Sequence, residues 1–419
     1  MCNTNGRNSA IPAEYALTIR IFAIYRLIGS QNDLMPENRR ATAMKRGLCL
    51  MQFMPAGSEV KILEVHTQTE QAQPEGFKES RPTYLEAYCQ VIPMKAIVYQ
   101  NYGSPDVLRL AEVQKPIPGD DEVLIKVHAV SINSWDWDTL TGRPYAYRLF
   151  GGLLRPRNSK IHGCDIAGQV EAVGVNVKHL HVGDEVFGDL SEDGWGAFAE
   201  YACARESRLT VKPAGMSFVE AACLPHGGNL AVQGLIDFGR IKSGQKVLIN
   251  GGGGSTGTLA IQIAKLFGAE VTGVDRPEKL NLMAALGADH VIDYTREDFT
   301  RNSRRYDLIF DVKTTRSVFD YQRAIGPNGT YVTVGGKTSR ILQLLLLRKL
   351  YRKKKMHVVF YKANKDMGCL VDLFETGKLK PAVDKCFPLE KTADAFRYFG
   401  DGLFKGKIVV TLEQKNRAR

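Results

Sequence analysis

Four consecutive glycines, Gly251 to Gly254, interrupt an otherwise regular stretch, KVLINGGGGSTGTLAIQIAKLFGAEVTGVD (Lys246 to Asp275). Val247, Leu248 and Ile249 read as a buried strand, and the apolar pattern after Gly257 reads as a helix that stops at Gly268. Between them lies Gly252-x-Gly254-x-x-Gly257. In that spacing one glycine makes a tight turn, one lets the backbone approach a diphosphate, and one allows close contact between helix and strand. N–H groups at the helix start, next to Ser255 and Thr256, then hold phosphate with help from the helix dipole. A strand precedes the loop, a helix succeeds it, and a second strand ends at Asp275, which is the context a dinucleotide site requires.

The residues after the second strand give two conflicting signals. Asp275 is suited to the ribose hydroxyls of NAD, whereas Arg276 and Lys279 are suited to the 2′-phosphate of NADP. The reading is therefore NADP(H) or NAD(H), with a lean to NADPH. Gly335 and Gly336 close the strand TYVTVGG, at the end where ligands gather in open α/β sheets.

Around this unit the chain changes rhythm. Strand-like runs (KVLIN, EVTGVD, HVIDY, YDLIFDV, TYVTVGG, HVVFY) alternate with helical stretches between about Met216 and Tyr361, the mark of βαβ units and a parallel sheet. From Met94 to about Pro213 the sequence is β-rich, with Gly, Asn and Asp at short intervals. The tail reads helix, strand, helix, strand. Residues 1–93 look different and are expected to be a poorly ordered extension, with Met94 a natural start. The expected divisions are 94–213, 214–365 and 366–419.

The 419 residues carry a net charge of +11. A basic body attracts anions without choosing among them. Six cations fall in RKLYRKKK (Arg348 to Lys355), read as a solvated segment able to make weak contact with an anionic membrane. No specific nucleic-acid motif is present, and no apolar run approaches the roughly 20 residues of a membrane span. The eight cysteines form no Cys-x-x-Cys pair. With no secretory signal pattern, the expected compartment is the cytoplasm.

MKAIVYQNYGSPDVLRL, VHAVSINSWDW, GCDIAGQVEAVG, VGDEVFG, GAFAEYA, GADHVIDY and GKIVV, taken with the glycine loop, resemble the medium-chain dehydrogenase/reductase superfamily. The likeness spans about Met94 to Leu412 and is nearest to the zinc-free quinone oxidoreductase branch. It implies an α/β chain: a GroES-like β-rich catalytic domain, returned to by the tail, plus an inserted Rossmann doubly wound parallel-sheet domain, commonly paired as a homodimer. It also implies that Tyr294, ending HVIDY, lies near the adenosine end of the coenzyme. Where related chains often carry Ala and a nicotinamide-positioning Thr, this one has Gly227, Gly228 and Leu230.

Zinc-dependent relatives place Cys at the position of Asn133 and a His-Glu pair at Cys164-Asp165, and carry a four-cysteine lobe that this chain lacks. The resemblance therefore implies no zinc. Cys164 and Asp165 are possible ligands, Asn133 is a poor one, and His162 beside Gly163 reads as structural. Without a metal to activate an alcohol, the expected substrate is a small electrophile, a quinone or an α,β-unsaturated carbonyl, reduced by hydride from NAD(P)H. The resemblance puts Asn133 beside the nicotinamide as an oxyanion donor, with Asp136 capping the next helix. Tyr145 and Tyr147 lie in the segment that walls the cleft, as proton donors or packing groups. Two other readings stand beside this one: an enoyl-thioester reductase, and a weakly catalytic coenzyme-binding protein acting at an RNA or membrane surface.

Overall fold

The computed structural model describes residues 92–156, 161–347 and 355–412. The expected extension 1–93 and the basic run Arg348–Lys355 lie outside the described residues, apart from Ile92, Pro93 and Lys355. Within the described chain, β1 (Pro93–Val98) pairs antiparallel with β2 (Arg109–Gln114). The strands β3 (Glu122–Ser131), β4 (Asp165–Val173), β5 (Glu185–Asp189), β6 (Tyr201–Arg205) and β7 (Leu209–Val211) build an antiparallel sheet. Runs such as Val123-Leu124-Ile125 are buried on both faces, because this sheet carries packing on each side.

Six more strands come next in the chain: β8 (Lys246–Asn250), β9 (Glu270–Asp275), β10 (His290–Asp293), β11 (Tyr306–Asp311), β12 (Ile325–Thr333) and β13 (Lys355–Val358). They are parallel, in the order β10-β9-β8-β11-β12-β13. This is the doubly wound arrangement, and the strand order reverses between β8 and β11, where such folds bind ligands. Every strand-like run in the alternating part of the sequence forms a strand. The last is shorter than its apolar pattern suggests. β13 stops at Val358, because Gln233 grips the backbone of Lys362 in both directions, at 2.8 and 3.1 Å, and the Tyr361 side chain turns to the other sheet.

The tail then returns. β14 (Val383–Pro388) and β15 (Lys407–Thr411) join the first sheet, giving the order β14-β15-β3-β4-β5-β7 with β6 on β3. The two sheets share apolar packing. Ala129, Ala167, Phe187 and Val409 of the first sheet belong to the same buried cluster as Val247, Ile249 and Phe310 of the second. Five helices position the site: α1 (Ser134–Thr141), α2 (Phe218–Cys223), α3 (Pro225–Val232), α4 (Ser255–Leu266) and α5 (Thr392–Asp401). Among the described residues no helix is long and apolar enough to cross a membrane.

The glycine loop divides its tasks as the spacing suggests. A Cβ on Gly257 would overlap the Gly251 carbonyl, so Gly257 sets how closely α4 packs on β8. A Cβ on Gly254 would find only that carbonyl, at 3.6 Å, and otherwise faces open space. Gly257→Ala is therefore expected to lose about 1–3 kcal/mol of stability in urea denaturation through overpacking. Gly254→Ala should denature like the wild type but bind nicotinamide coenzyme at least tenfold more weakly, as read by coenzyme fluorescence.

Candidate active site

The coenzyme side of the site begins at the ends of β8 and β9. Gly251 and Gly252 donate to the Val274 carbonyl at 2.8 and 3.1 Å, and Gly253 donates to Asp275 Oδ2 at 3.0 Å. Those amides are engaged within the protein. The amides of Ser255, Thr256 and Gly257 open α4, where no earlier helical carbonyl is in register to receive them. Ser255 Oγ is buried there without a hydrogen-bond partner. An uncovered helix start, an orphaned hydroxyl and a glycine whose Cβ position is open together fit a diphosphate.

Next to the loop is a cavity of about 250 Å³. Asp275, Arg276, Lys279 and Tyr294, all expected from the sequence, line it, as do Lys313 and Arg316, which sequence reading misses. Asp275 is nearly buried and its carboxylate faces inward: Oδ1 accepts from the Arg276 amide at 2.9 Å, and Lys279 Nζ lies 3.9 Å away. It is a hinge for the loop before it is a ribose ligand. Arg316 is paired with Asp298 at 3.2 Å, and the remaining cations Arg276, Lys279 and Lys313 beside the engaged Asp275 leave a cavity suited to an additional anionic group. Gly335 and Gly336 do not line this cavity. They cross over Thr314, which donates its amide to the Gly335 carbonyl at 3.3 Å, and a Cβ on Gly336 would sit 2.5 Å from the Thr314 nitrogen.

The catalytic side is a cage of buried polar groups. Asp165 begins β4 and accepts from Ser131 Oγ at 3.0 Å, Asn133 Nδ2 at 3.0 Å, Lys407 Nζ at 3.1 Å and the His226 amide at 3.0 Å. Asn133 also donates to Cys164 Sγ at 3.3 Å and accepts a short hydrogen bond from Lys407. Both amide hydrogens of Asn133 are thus engaged and the residue is only 3% exposed, which leaves none for a substrate oxyanion. Its role here is to orient Lys407 and Asp165. Asp136 accepts the Asn133 amide at 2.8 Å at the start of α1, the capping position expected of it.

Asp189, at the end of β5, accepts from Tyr361 Oη at 2.6 Å and from the Ser191 amide at 2.8 Å, and lies 3.2 Å from His226 Nδ1. Burial works against its charge, but the histidine and tyrosine outweigh that and hold it at about 2. Trp135 lies against both His226 and Tyr361 rings, at 4.8 and 5.4 Å between centroids. Sequence reading misses His226, Asp189, Tyr361 and Lys407. Only the substitution pattern around Gly227 marks this stretch as unusual.

Cys164, Asp189 and His226 bring three potential metal-ligand atoms within 4.8 Å of one another. Each of these groups, like its neighbour Asp165, also has protein partners. The Lys407 ammonium already neutralises Asp165, Asp189 already serves His226, Tyr361 and Ser191, and Cys164 Sγ accepts a hydrogen bond from Asn133.

A second cavity of about 230 Å³ opens on the catalytic side, walled by Tyr99, Tyr102, Tyr147 and Trp195 with His162 and Ser191. Tyr147 stands in its wall. Burial, then Asp138 and Asp136, push its phenol up to about 12, so it favours packing over proton donation at neutral pH. Tyr145 does not line it. That ring is 66% exposed, with the Arg148 guanidinium 5.1 Å from its centroid.

Residues 119–214 match the family profile described as "Alcohol dehydrogenase GroES-like domain", and residues 286–410 match "Zinc-binding dehydrogenase". The chain is 36% identical over 328 residues to the 2-methylene-furan-3-one reductase of Solanum lycopersicum, covering 76% of this chain and 79% of that protein. It belongs to the medium-chain dehydrogenase/reductase superfamily. Other superfamily members align similarly: the chain is 33% identical to the chloroplastic quinone-oxidoreductase QR1 of Triphysaria versicolor, covering 76% of this chain and 98% of that one. Among solved structures, the quinone oxidoreductase of Coxiella burnetii superposes with a TM-score of 0.69 at 29% identity, over 77% of this chain and all of that one. The CurK enoyl reductase superposes at 0.67 with 26% identity, over 76% of this chain and 99% of that one. The two-part fold is thus GroES-like plus Rossmann.

The cage generates two expected outcomes. Lys407→Met strands the buried Asp165 carboxylate and should cost about 3–5 kcal/mol in urea denaturation. Adding Asp165→Asn to that variant should recover part of the loss. Burial raises the Asp136 carboxyl from 3.8 to about 8 against the pull of the Asn133 amide. Between those pH values the folded state keeps a proton that the unfolded state has released, so the group's contribution to stability declines as pH rises. Asp136→Asn should therefore gain on the wild type progressively across that window, by about 2–5 kcal/mol at its upper end.

Proposed function

We propose that the protein is a zinc-independent NAD(P)H-dependent oxidoreductase that reduces a quinone or an α,β-unsaturated carbonyl, with NADPH preferred. The observation that carries this reading is the cavity at the ends of β8 and β9. There Gly251 of the glycine loop shares a wall with Arg276, Lys279, Lys313 and Arg316, while Asp275 Oδ2 is engaged by the Gly253 amide. An NAD site would instead leave the carboxylate free for ribose hydroxyls.

When bound, the coenzyme supplies hydride. The chain's own part is to hold the diphosphate at Ser255–Gly257, to anchor the 2′-phosphate with Arg276, Lys279 and Lys313, and to keep water from the seam between the sheets. The aromatic wall of Tyr99, Tyr147 and Trp195 orients a flat acceptor. Metal independence rests on the cage, whose donors are already engaged with one another. The 2-methylene-furan-3-one reductase and quinone oxidoreductases among its relatives agree in acceptor class. The enoyl reductase reading receives support from CurK, while the flat aromatic walls of the cavity favour a ring-shaped acceptor.

The proposed divisions are 94–213, 214–365 and 366–419; the start of β1 at Pro93 and the return of β14 and β15 to the first sheet support this reading. A cytoplasmic homodimer, joined along the β13 edge of the parallel sheet, completes the proposal, together with weak contact between the basic run Arg348–Lys355 and anionic lipid. Light scattering tests the dimer.

The reaction is tested by following NADPH and NADH oxidation with quinones, alkenals, cyclic enones and, in reverse, saturated alcohols. Quinone or enone turnover that survives chelation, with less than stoichiometric metal by elemental analysis, is expected. Alcohol oxidation alone, abolished by chelator, would overturn the proposal. Arg276→Ala and Lys313→Ala should each raise the KM for NADPH about tenfold or more through loss of a charge-assisted phosphate contact. The KM for NADH should move less than twofold.

A further inference from the structure

The cavity on the catalytic side contains two polar atoms that the fold leaves unanswered. His162 is 2% exposed, its ring stacked on Tyr99 with centroids 4.0 Å apart and set edge-on to Trp195 at 5.9 Å. The Thr139 hydroxyl donates to the Trp135 carbonyl at 2.7 Å, as a carbonyl can only accept. Thr139 Oγ1 is then an acceptor for His162 Nδ1–H, 3.4 Å away. Burial holds the imidazole down at about 3, so the ring is neutral. With the proton on Nδ1, Nε2 carries a lone pair, and no described group donates to it. Ser191 Oγ, in the same cavity wall, also has no partner.

We propose that this cavity recognises a ring bearing a hydroxyl group, which donates to His162 Nε2 while Ser191 serves a ligand oxygen. The acceptor of the proposed reaction is therefore a hydroxylated cyclic enone or quinone; the assignment of turnover rests on the preceding reading, the recognition itself does not. A buried acceptor left without a partner costs about 1–3 kcal/mol, a penalty that a ligand hydroxyl removes and a plain alkyl or methoxy group does not. A cationic donor fits poorly, because no carboxylate lines the cavity. The volume suits one substituted ring, and the aromatic walls suit a flat one. The cavity adjoins the polar cage through the chain: Ser191 lies two residues beyond Asp189, whose carboxylate is 3.2 Å from His226 Nδ1 on α3.

The test compares cyclohex-2-enone, 4-hydroxycyclohex-2-enone and 4-methoxycyclohex-2-enone with NADPH. The hydroxylated enone should show kcat/KM about tenfold or more above both others. In His162→Phe, which keeps the ring stack but removes the acceptor, the hydroxy-to-methoxy ratio should fall to about one whatever the absolute rate. Retained coenzyme fluorescence verifies that the variant is folded. Equal rates in the wild type, or a ratio unchanged by the substitution, overturns the proposal. Failure of the wild type with every enone and quinone sinks the reaction instead and leaves recognition testable by calorimetry of phenol and anisole on the NADPH-loaded protein. Phenol binding about tenfold tighter supports it. Equal binding, as when a water answers Nε2, or no binding, overturns it. Ser191→Ala, which needs no ring replacement, should narrow the same difference should His162→Phe not fold.

Discussion

One buried carboxylate holds the two halves of the active site together. Asp165 takes hydrogen bonds from β3, from the turn before α1, from the returning strand β15 and from the start of α3. A carboxylate with that burial is stable only if it is neutralised, and Lys407 does so from 242 residues away in sequence. Lys407 in turn needs Asn133 to occupy another of its hydrogens. The result is a closed circuit in which each member is satisfied by the others. Such networks tolerate little: completed, they fix a unique geometry, and broken at one point they leave an uncompensated charge.

The electrostatics of the molecule divide across this circuit. On one side a cluster of acidic groups is paired with Lys407 and hydrogen-bonded to its neighbours, with burial keeping a proton on Asp136. On the other, four cations surround an inward-facing Asp275. Under the proposed function, the second side is the one that receives the phosphates of the coenzyme. The basic body noted in the sequence is in part this local arrangement rather than a generally sticky surface.

What can be read from the sequence depends on the range of the interactions. The glycine loop, the strand it leaves and the helix it starts are neighbours in the chain, and their spacing alone specifies a diphosphate cradle. The alternation of β13 with its preceding elements is visible for the same reason, though its end is not, since Gln233 imposes it from afar. The cage is the illegible part. His226, Asp189 and Lys407 are ordinary residues in their local contexts, and only the antiparallel register of β3, β4 and β5, with β15 beside them, brings them together. A glycine after His162 makes it read as a satisfied structural histidine. Its ring is structural on two faces, but the nitrogen left over becomes visible only once Thr139 fixes the tautomer. Asn133 misleads in the opposite direction: its family position suggests oxyanion chemistry, while its neighbours use every hydrogen it has.

Gly406 donates its amide to the Gly253 carbonyl at 2.9 Å, one residue before Lys407 enters the cage. A single dipeptide near the end of the described chain therefore touches both the phosphate-holding loop and the acidic cluster. On the ribosome, this means that neither half can be finished early. A nascent chain stopped just short of Gly406 already contains the whole glycine motif and the whole antiparallel pair of β3 and β4, yet lacks the piece that clasps one and neutralises the other. Any product ending before Gly406 lacks both the contact to Gly253 and the ammonium that faces Asp165.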